Sequence, residues 1–183
     1  FGMAEISSAG NTYATTGGHF KMPMTILGAG GTAPNQALGP THSQPFHAYI
    51  MGVPGIKIGT AASPQAAYSI TKAMIRDDGP CFLFMPVKMM KETKGHLDLG
   101  RCAQLNKCAL LHQASADAVA KCKAVTVLTY LHGVKEAELA LKEVLDEGMD
   151  FDLIELRSLK PLDMDTIRAS LERTHMVAIL DES

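Results

Sequence analysis

No stretch of this 183-residue sequence approaches the ~20 consecutive apolar residues that a membrane-spanning helix needs, and no charged start leads into an apolar signal core. The sequence reads as that of a soluble protein with no membrane span. Cysteine is scarce: Cys81, Cys102, Cys108 and Cys122 are too few and too irregularly spaced for a secreted disulfide framework, which points to a reducing compartment. Cys102, Cys108, His112 and Cys122 could be imagined as a zinc set, but none of the gaps gives the Cys-x2–4-Cys knuckle of structural zinc, so the cysteines read as buried or surface thiols. An excess of one charge is lacking too. With 17 Lys and Arg against 19 Asp and Glu, and 46% hydrophobic residues, the composition excludes disorder, collagen and nucleic-acid-coating tails.

A chain of this length buries roughly 70% of the surface its unfolded form exposes, enough for one full domain or two partial ones. Its carboxylates are unevenly placed. Glu5 and Asp77 bracket a span in which Lys21, Lys57, Lys72 and Arg76 are the only formally charged residues. Soluble surfaces normally carry both signs. Much of this span is therefore expected to face something other than water: a core, a subunit interface or an anionic ligand.

The apolar run Pro23 to Gly28 reads as a buried strand, followed by a segment to Pro40 rich in Gly and Pro. A short helix is expected over Pro45 to Met51, then a strand over Ile56 to Thr60. Ser63-Pro64 supplies an N-cap and a first-turn proline for a helix running to Arg76. Cys81 to Met85 completes a β-α-β-α-β rhythm whose strands are too apolar to have a wet face. Residues 87–123 lose that rhythm and read as a connection. It returns with strands over Ala124 to Tyr130, Phe151 to Leu156 and Met176 to Leu180, and helices over Val134 to Glu147 and Asp163 to Arg173. The expected class is α/β, with two parallel sheets and flanking helices. Three readable strands per sheet are few, so the chain reads as a fragment of a two-domain protein, beginning at Phe1 rather than Met.

The Gly28-Ala29-Gly30-Gly31 string follows the first strand, where parallel sheets place ligand loops. It matches neither the dinucleotide nor the P-loop fingerprint, and a sharp turn needing positive φ explains the glycines equally well. Beyond it, Thr41-His42-Ser43-Gln44 sets an imidazole between hydrogen-bonding side chains at the mouth of a helix, where it can titrate near neutrality and pass protons. His47, one turn into that helix, is a weaker candidate. No G-x-S-x-G elbow supports a serine hydrolase, and Cys81 lies in an apolar strand that would keep its thiol inert.

Five strings in order, G-G-H-F-K-M-P-M-T-I from Gly17, H-S-Q from His42, V-P-G-I-K from Val53, A-M-I-R-D-D-G-P from Ala73 and L-R-S-L-K-P-L-D from Leu156, resemble the beta subunit of the thiamine-dependent pyruvate dehydrogenase component. The first string and R-S-L-K-P followed by Thr174-His175 are most similar to plastid-type members. The resemblance implies that residues 1–90 form the later part of a transketolase-like pyrimidine-binding domain, 91–120 an interdomain linker, and 121–183 the first part of a transketolase C-terminal domain. It implies oxidative decarboxylation of pyruvate, with acetyl transfer to the lipoyl arm of an acyltransferase core. The family works as an alpha2beta2 heterotetramer, holding thiamine diphosphate with magnesium between alpha and beta subunits. His42 falls on the family's active-site histidine, supported by Ser43 and Gln44. The activating glutamate would lie upstream of Phe1. Backbone carbonyls of Met24, Met74, Asp77 and Gly79 fall on a monovalent, potassium-like cation site. The plastid stroma is the implied location, with the mitochondrial matrix as the alternative, and no nucleic-acid partner is implied.

The resemblance departs from the family pattern at two places. Leu27 stands where the family commonly has arginine, and Phe84-Met85-Pro86 replaces an acidic string after the third strand. These changes are either a compensated pair or the mark of a non-catalytic homologue serving as a structural subunit of a larger complex. A branched-chain 2-oxoacid or acetoin dehydrogenase beta subunit is the close enzyme alternative.

Overall fold

The computed structural model describes residues 2–30, 46–86 and 94–181. Two four-stranded sheets lie in sequence, each flanked by helices. The first is built from β1 (Met24–Gly30), β2 (Lys57–Thr60), β3 (Pro80–Pro86) and β7 (Ser158–Lys160), in the order β1-β3-β2-β7. The second contains β4 (Ala109–His112), β5 (Ala124–Thr129), β6 (Asp150–Glu155) and β8 (Val177–Leu180), in the order β4-β6-β5-β8. Helices α1 (Met3–Thr15), α2 (His47–Met51) and α3 (Pro64–Ile75) belong to the first half. Helices α4 (Ala116–Ala120), α5 (Gly133–Asp146) and α6 (Met164–Thr174) belong to the second.

The expected parallel pairings are present, and each sheet carries one addition. Each sheet has three parallel strands, as read from the sequence, plus one short antiparallel strand at an edge: β7 against β2, and β4 against β6. Three- and four-residue edge strands carry too few residues to show a period. Their placement changes the connectivity. The segment expected as a connection contributes β4 and α4 to the second unit, while β7, from the second half, completes the first sheet. Ahead of β4, residues 98 and 99 run along α3, where Gln65 exchanges two hydrogen bonds with the Asp98 backbone, and Tyr68 and Lys72 donate to the Leu99 carbonyl.

Helix α3 starts as its sequence dictates. Ser63 is extended, its side chain accepts the Ala66 N–H at 3.2 Å, and Pro64 takes the first helical position. Its buried face, Ala66, Ile70 and Met74, packs on Cys81 and Leu83 of β3. Helix α6 is capped by Asp163, which accepts from Thr166 N–H at 3.3 Å.

Strand β1 runs past Gly28, the expected end of the strand, to Gly30, which the sequence placed in a loop. Close packing, not turn geometry, accounts for both glycines. A Cβ on Gly28 would lie 2.5 Å from the Phe82 ring, and one on Gly30 would lie 2.9 Å from Phe84 and 3.0 Å from Leu131. Leu131 belongs to the turn after β5, so the end of β1 abuts the second unit there.

Candidate functional site

The carboxyl ends of the parallel strands, where such sheets gather ligands, meet along a seam between the two units. At β2, Thr60 N–H donates to the Arg157 carbonyl at 3.1 Å and Thr60 Oγ1 to the Leu156 carbonyl at 2.6 Å. The Glu155 side chain, 1% exposed, accepts from Ala62 N–H at 2.9 Å and from Arg157 Nε at 2.7 Å. A buried charge is tolerated only with such pairing. Lys160 Nζ donates to the carbonyls of Met51 at 2.9 Å and Val53 at 2.6 Å, holding the far end of α2.

A polar and aromatic group lies at the same edges. His47, at the first residue of α2, stands edge-on to Phe84 of β3 and to Tyr130, the residue after β5. Its Nε2 is 3.2 Å from the Tyr130 hydroxyl, and that hydroxyl donates in a short hydrogen bond to Asp181, the residue after β8. Burial lowers the His47 pKa below the ordinary value, with Asp181 pulling the other way. Leu131 follows Tyr130 with φ 52°, a left-handed conformation that costs a branched-chain residue about 1–2 kcal/mol. It is fully buried. The strain belongs to the turn that carries Tyr130 and His132, whose Nδ1 faces Glu136 at 3.3 Å.

His42, Ser43 and Gln44 lie outside the described residues. The four positions assigned to a monovalent cation fall at the opposite, amino edge of the first sheet. Met24 opens β1 opposite Pro80, Met74 is in the last turn of α3, and Asp77 and Gly79 form the turn into β3. The Met74 carbonyl accepts from Asp77 N–H at 3.1 Å. The Asp77 side chain holds Gly79 N–H at 2.8 Å and Lys57 Nζ at 2.5 Å. Lys57 is partly buried, which alone would lower its pKa, yet the Asp77 carboxylate outweighs this and raises it. The neighbouring Cys81 thiol is pushed up to about 12 by burial, with Asp77 adding to the effect, so it is inert as expected. Cys102, Cys108 and Cys122 are free thiols, and among the described residues no three His, Cys, Asp or Glu side chains converge as a metal ion would need.

Residues 114–183 match the family model of the transketolase C-terminal domain. Over 177 residues the chain is 36% identical to the pyruvate dehydrogenase E1 component subunit beta of Chlorokybus atmophyticus, covering 96% of this chain and 50% of the relative. It is 35% identical over 176 residues to that of Porphyra purpurea, covering 96% and 50%. It is 33% identical over 178 residues to subunit beta-4, chloroplastic, of Oryza sativa subsp. japonica, covering 96% and 42%. The resemblance carried by the motifs thus extends along nearly the whole sequence, plastid types included. The chain spans about half the length of the curated relatives it matches. Among solved structures it is similar to a split gene transketolase, described as an inactive beta4 tetramer, with a TM-score of 0.70 at 14% identity over 98% of this chain and 62% of that one. A transketolase mutant from Pichia stipitis gives 0.69 at 15% identity, over 97% and 25%. The fold is transketolase-like.

Within residues 114–183, Tyr130 and Asp181 are site residues that no sequence motif marks. Each is the first residue beyond an apolar strand of the second sheet. The rule that parallel sheets present functional groups just past their strands' carboxyl ends is the signal that finds them.

Proposed function

We propose that this chain acts as the beta subunit of a pyruvate dehydrogenase E1 component, in oxidative decarboxylation of pyruvate with transfer of the acetyl group to the lipoyl arm of an acyltransferase core. The observation that carries this is the similarity along 96% of the chain to beta subunits of that enzyme, with the five motifs in order. The reading includes an alpha subunit in an alpha2beta2 assembly and thiamine diphosphate with magnesium held between the two chains. Exposed Leu27, Phe46, Tyr49, Met51 and Ile75 in the half that lacks carboxylates support a partner chain there, since exposed apolar side chains gathered on one part of a soluble protein mark interaction surfaces. Chloroplastic and algal relatives support the plastid stroma over the mitochondrial matrix.

The described residues do not by themselves complete a site for the group: Phe84 and Tyr130 are buried with their rings packed edge-on against His47, and no three His, Cys, Asp or Glu side chains converge among them to hold the magnesium. Bound thiamine diphosphate supplies the carbon nucleophile and electron sink of the decarboxylation. The chain's own part is to bind, orient and exclude water. His42, with Ser43 and Gln44 in support, is assigned to proton handling during transfer to the lipoyl arm, and the Met24, Met74, Asp77 and Gly79 carbonyls to a potassium-like ion that braces the α3–β3 turn.

The two departures from the family pattern bear on the reading of a non-catalytic subunit. Leu27 and Met85 line one groove beside α3. Changes that fall together in one groove are what a compensated exchange requires, which favours retained activity. The test is pyruvate decarboxylation by the chain assembled with its alpha partner. Activity that falls by at least about 100-fold in His42→Ala, within the usual range for a general acid–base, is the expected result. An inactive wild-type assembly would favour the structural subunit.

A further inference from the structure

Helix α2 is a five-residue helix with a tie at each end. At its carboxyl end the Met51 carbonyl accepts from Lys160, and at its first residue His47 reaches Tyr130. Two ties fix a direction where one allows a pivot. The second tie is polarised. The Tyr130 hydroxyl gives its proton to Asp181, so its oxygen is left to accept from His47. The His47 proton therefore sits on Nε2. Nδ1 is buried and has no hydrogen-bond partner among the described residues. As a bare nitrogen it is an unfilled acceptor, but protonated it would be a charged N–H with nothing among them to receive it, which is costlier. Burial acts in the same direction, Asp181 against it, and burial prevails. The ring is neutral, in one tautomer, wedged edge-on between Phe84 at 5.7 Å and Tyr130 at 5.4 Å between centroids.

We propose that His47 is a positioning residue: as the neutral Nε2–H tautomer it holds the first turn of α2, through Tyr130 and Asp181, to the carboxyl ends of β5 and β8, and so fixes the two units' strand ends against each other. Lys160 and the buried Ile50 hold the later part of the helix and leave its first residue to the His47 tie. The effect on turnover, and only that effect, rests on the proposed enzymatic role, because α2 directly follows the His42 segment in sequence.

A double-mutant cycle tests the tie in the full chain. His47→Leu and Tyr130→Phe should each raise the urea unfolding constant, and their effects should be coupled by roughly fivefold. His47→Gln, which keeps an N–H donor near the position of Nε2, should recover most of the loss. Spectra of the 15N-histidine-labelled chain should show His47 as Nε2–H and less charged at pH 6.5 than an ordinary histidine, which is half charged there. With the alpha partner bound, His47→Leu should lower kcat for pyruvate about tenfold with little change in KM, and His47→Gln should restore it. Independent effects of the two substitutions, or an Nδ1–H tautomer, would overturn the inference. An inactive wild-type assembly with the coupling intact sinks the proposed activity and supports the role of His47. An active assembly with no coupling sinks the role of His47 and spares the activity.

Discussion

The two sheets share a plan, three parallel strands with a short antiparallel strand at one edge, and differ in what fills them. The central strand of the first, β3, buries Cys81, Phe82, Leu83 and Phe84. The second sheet buries Thr126, Thr129, Asp150, Asp152 and Glu155 beside its apolar residues. Apolar packing has no direction, whereas buried acids need aimed donors. One topology is thus held by two kinds of force. The first unit should fail on lost volume, the second on a lost acceptor.

The largest effect is expected from Leu83→Ala. Leu83 has no exposed surface and packs among Ala61, Ile70 and Met74 on the face covered by α3. Truncation should cost about 4 kcal/mol in urea unfolding, near the upper end for buried leucine because surrounding strands and a helix limit collapse. A loss under about 1 kcal/mol would mean that the first sheet relaxes around the cavity, and the contrast drawn here would fail.

Asp152→Ala should come next. Asp152 Oδ1 accepts from Ala114 N–H at 2.8 Å, and Oδ2 from the Ser170 hydroxyl at 2.6 Å, with Arg173 at 3.5 Å. Thr126 joins Ser170 at 2.6 Å and Thr174 at 2.7 Å, so β5, β6 and α6 share one buried network. Removing the carboxylate strands several donors, at a cost of about 3 kcal/mol. Asp152→Asn keeps an acceptor for Ala114 and should cost less. Equal costs, measured by unfolding of both variants, would place the effect in charge rather than in hydrogen bonding and blur the distinction between the halves.

The same contrast decides what was legible in the sequence. Strands β1, β2, β3, β5, β6 and β8 announce themselves as apolar runs, although β8, at the sheet edge, is exposed along its length. Strands β4 and β7 do not: Ala-Leu-Leu-His and Ser-Leu-Lys are as short as turns, and only their partners make them strands. Helix α1 is built largely of small and polar residues and buries only Ile6, Ala9 and Gly10, too weak a stripe to read. The glycines at 28 and 30 look like a loop because residue type cannot distinguish a turn from a close approach of Phe82 and Phe84. The second half's carboxylates look like a solvated face, yet Asp150, Asp152, Glu155 and Asp163 are buried, since burial of an acid depends on donors distant in sequence. At the seam the sequence singled out His47 but not Tyr130 or Asp181, which meet it only through the fold.

The smallest predicted effect isolates the electrostatic side of the second unit. Asp163, 3% exposed, caps α6 and ties it to the start of β4. Burial alone would raise its pKa, but the Thr166 hydroxyl at 2.6 Å, the Cys108 N–H at 3.0 Å and Lys107 at 3.2 Å outweigh burial and hold it at about 2, against 3.8 for a free side chain. A folded pKa below the unfolded one gives stabilisation that is fully present above pH 3.8 and is lost as pH falls through about 2. The linked free energy is about 2 kcal/mol. Asp163→Asn keeps a capping oxygen but no titrating group, so its stability should fall less steeply than wild type between about pH 4 and pH 2. Urea midpoints across that range measure the difference. Parallel curves would show that this carboxylate contributes no pH dependence, leaving the second unit distinguished from the first by hydrogen-bond geometry alone.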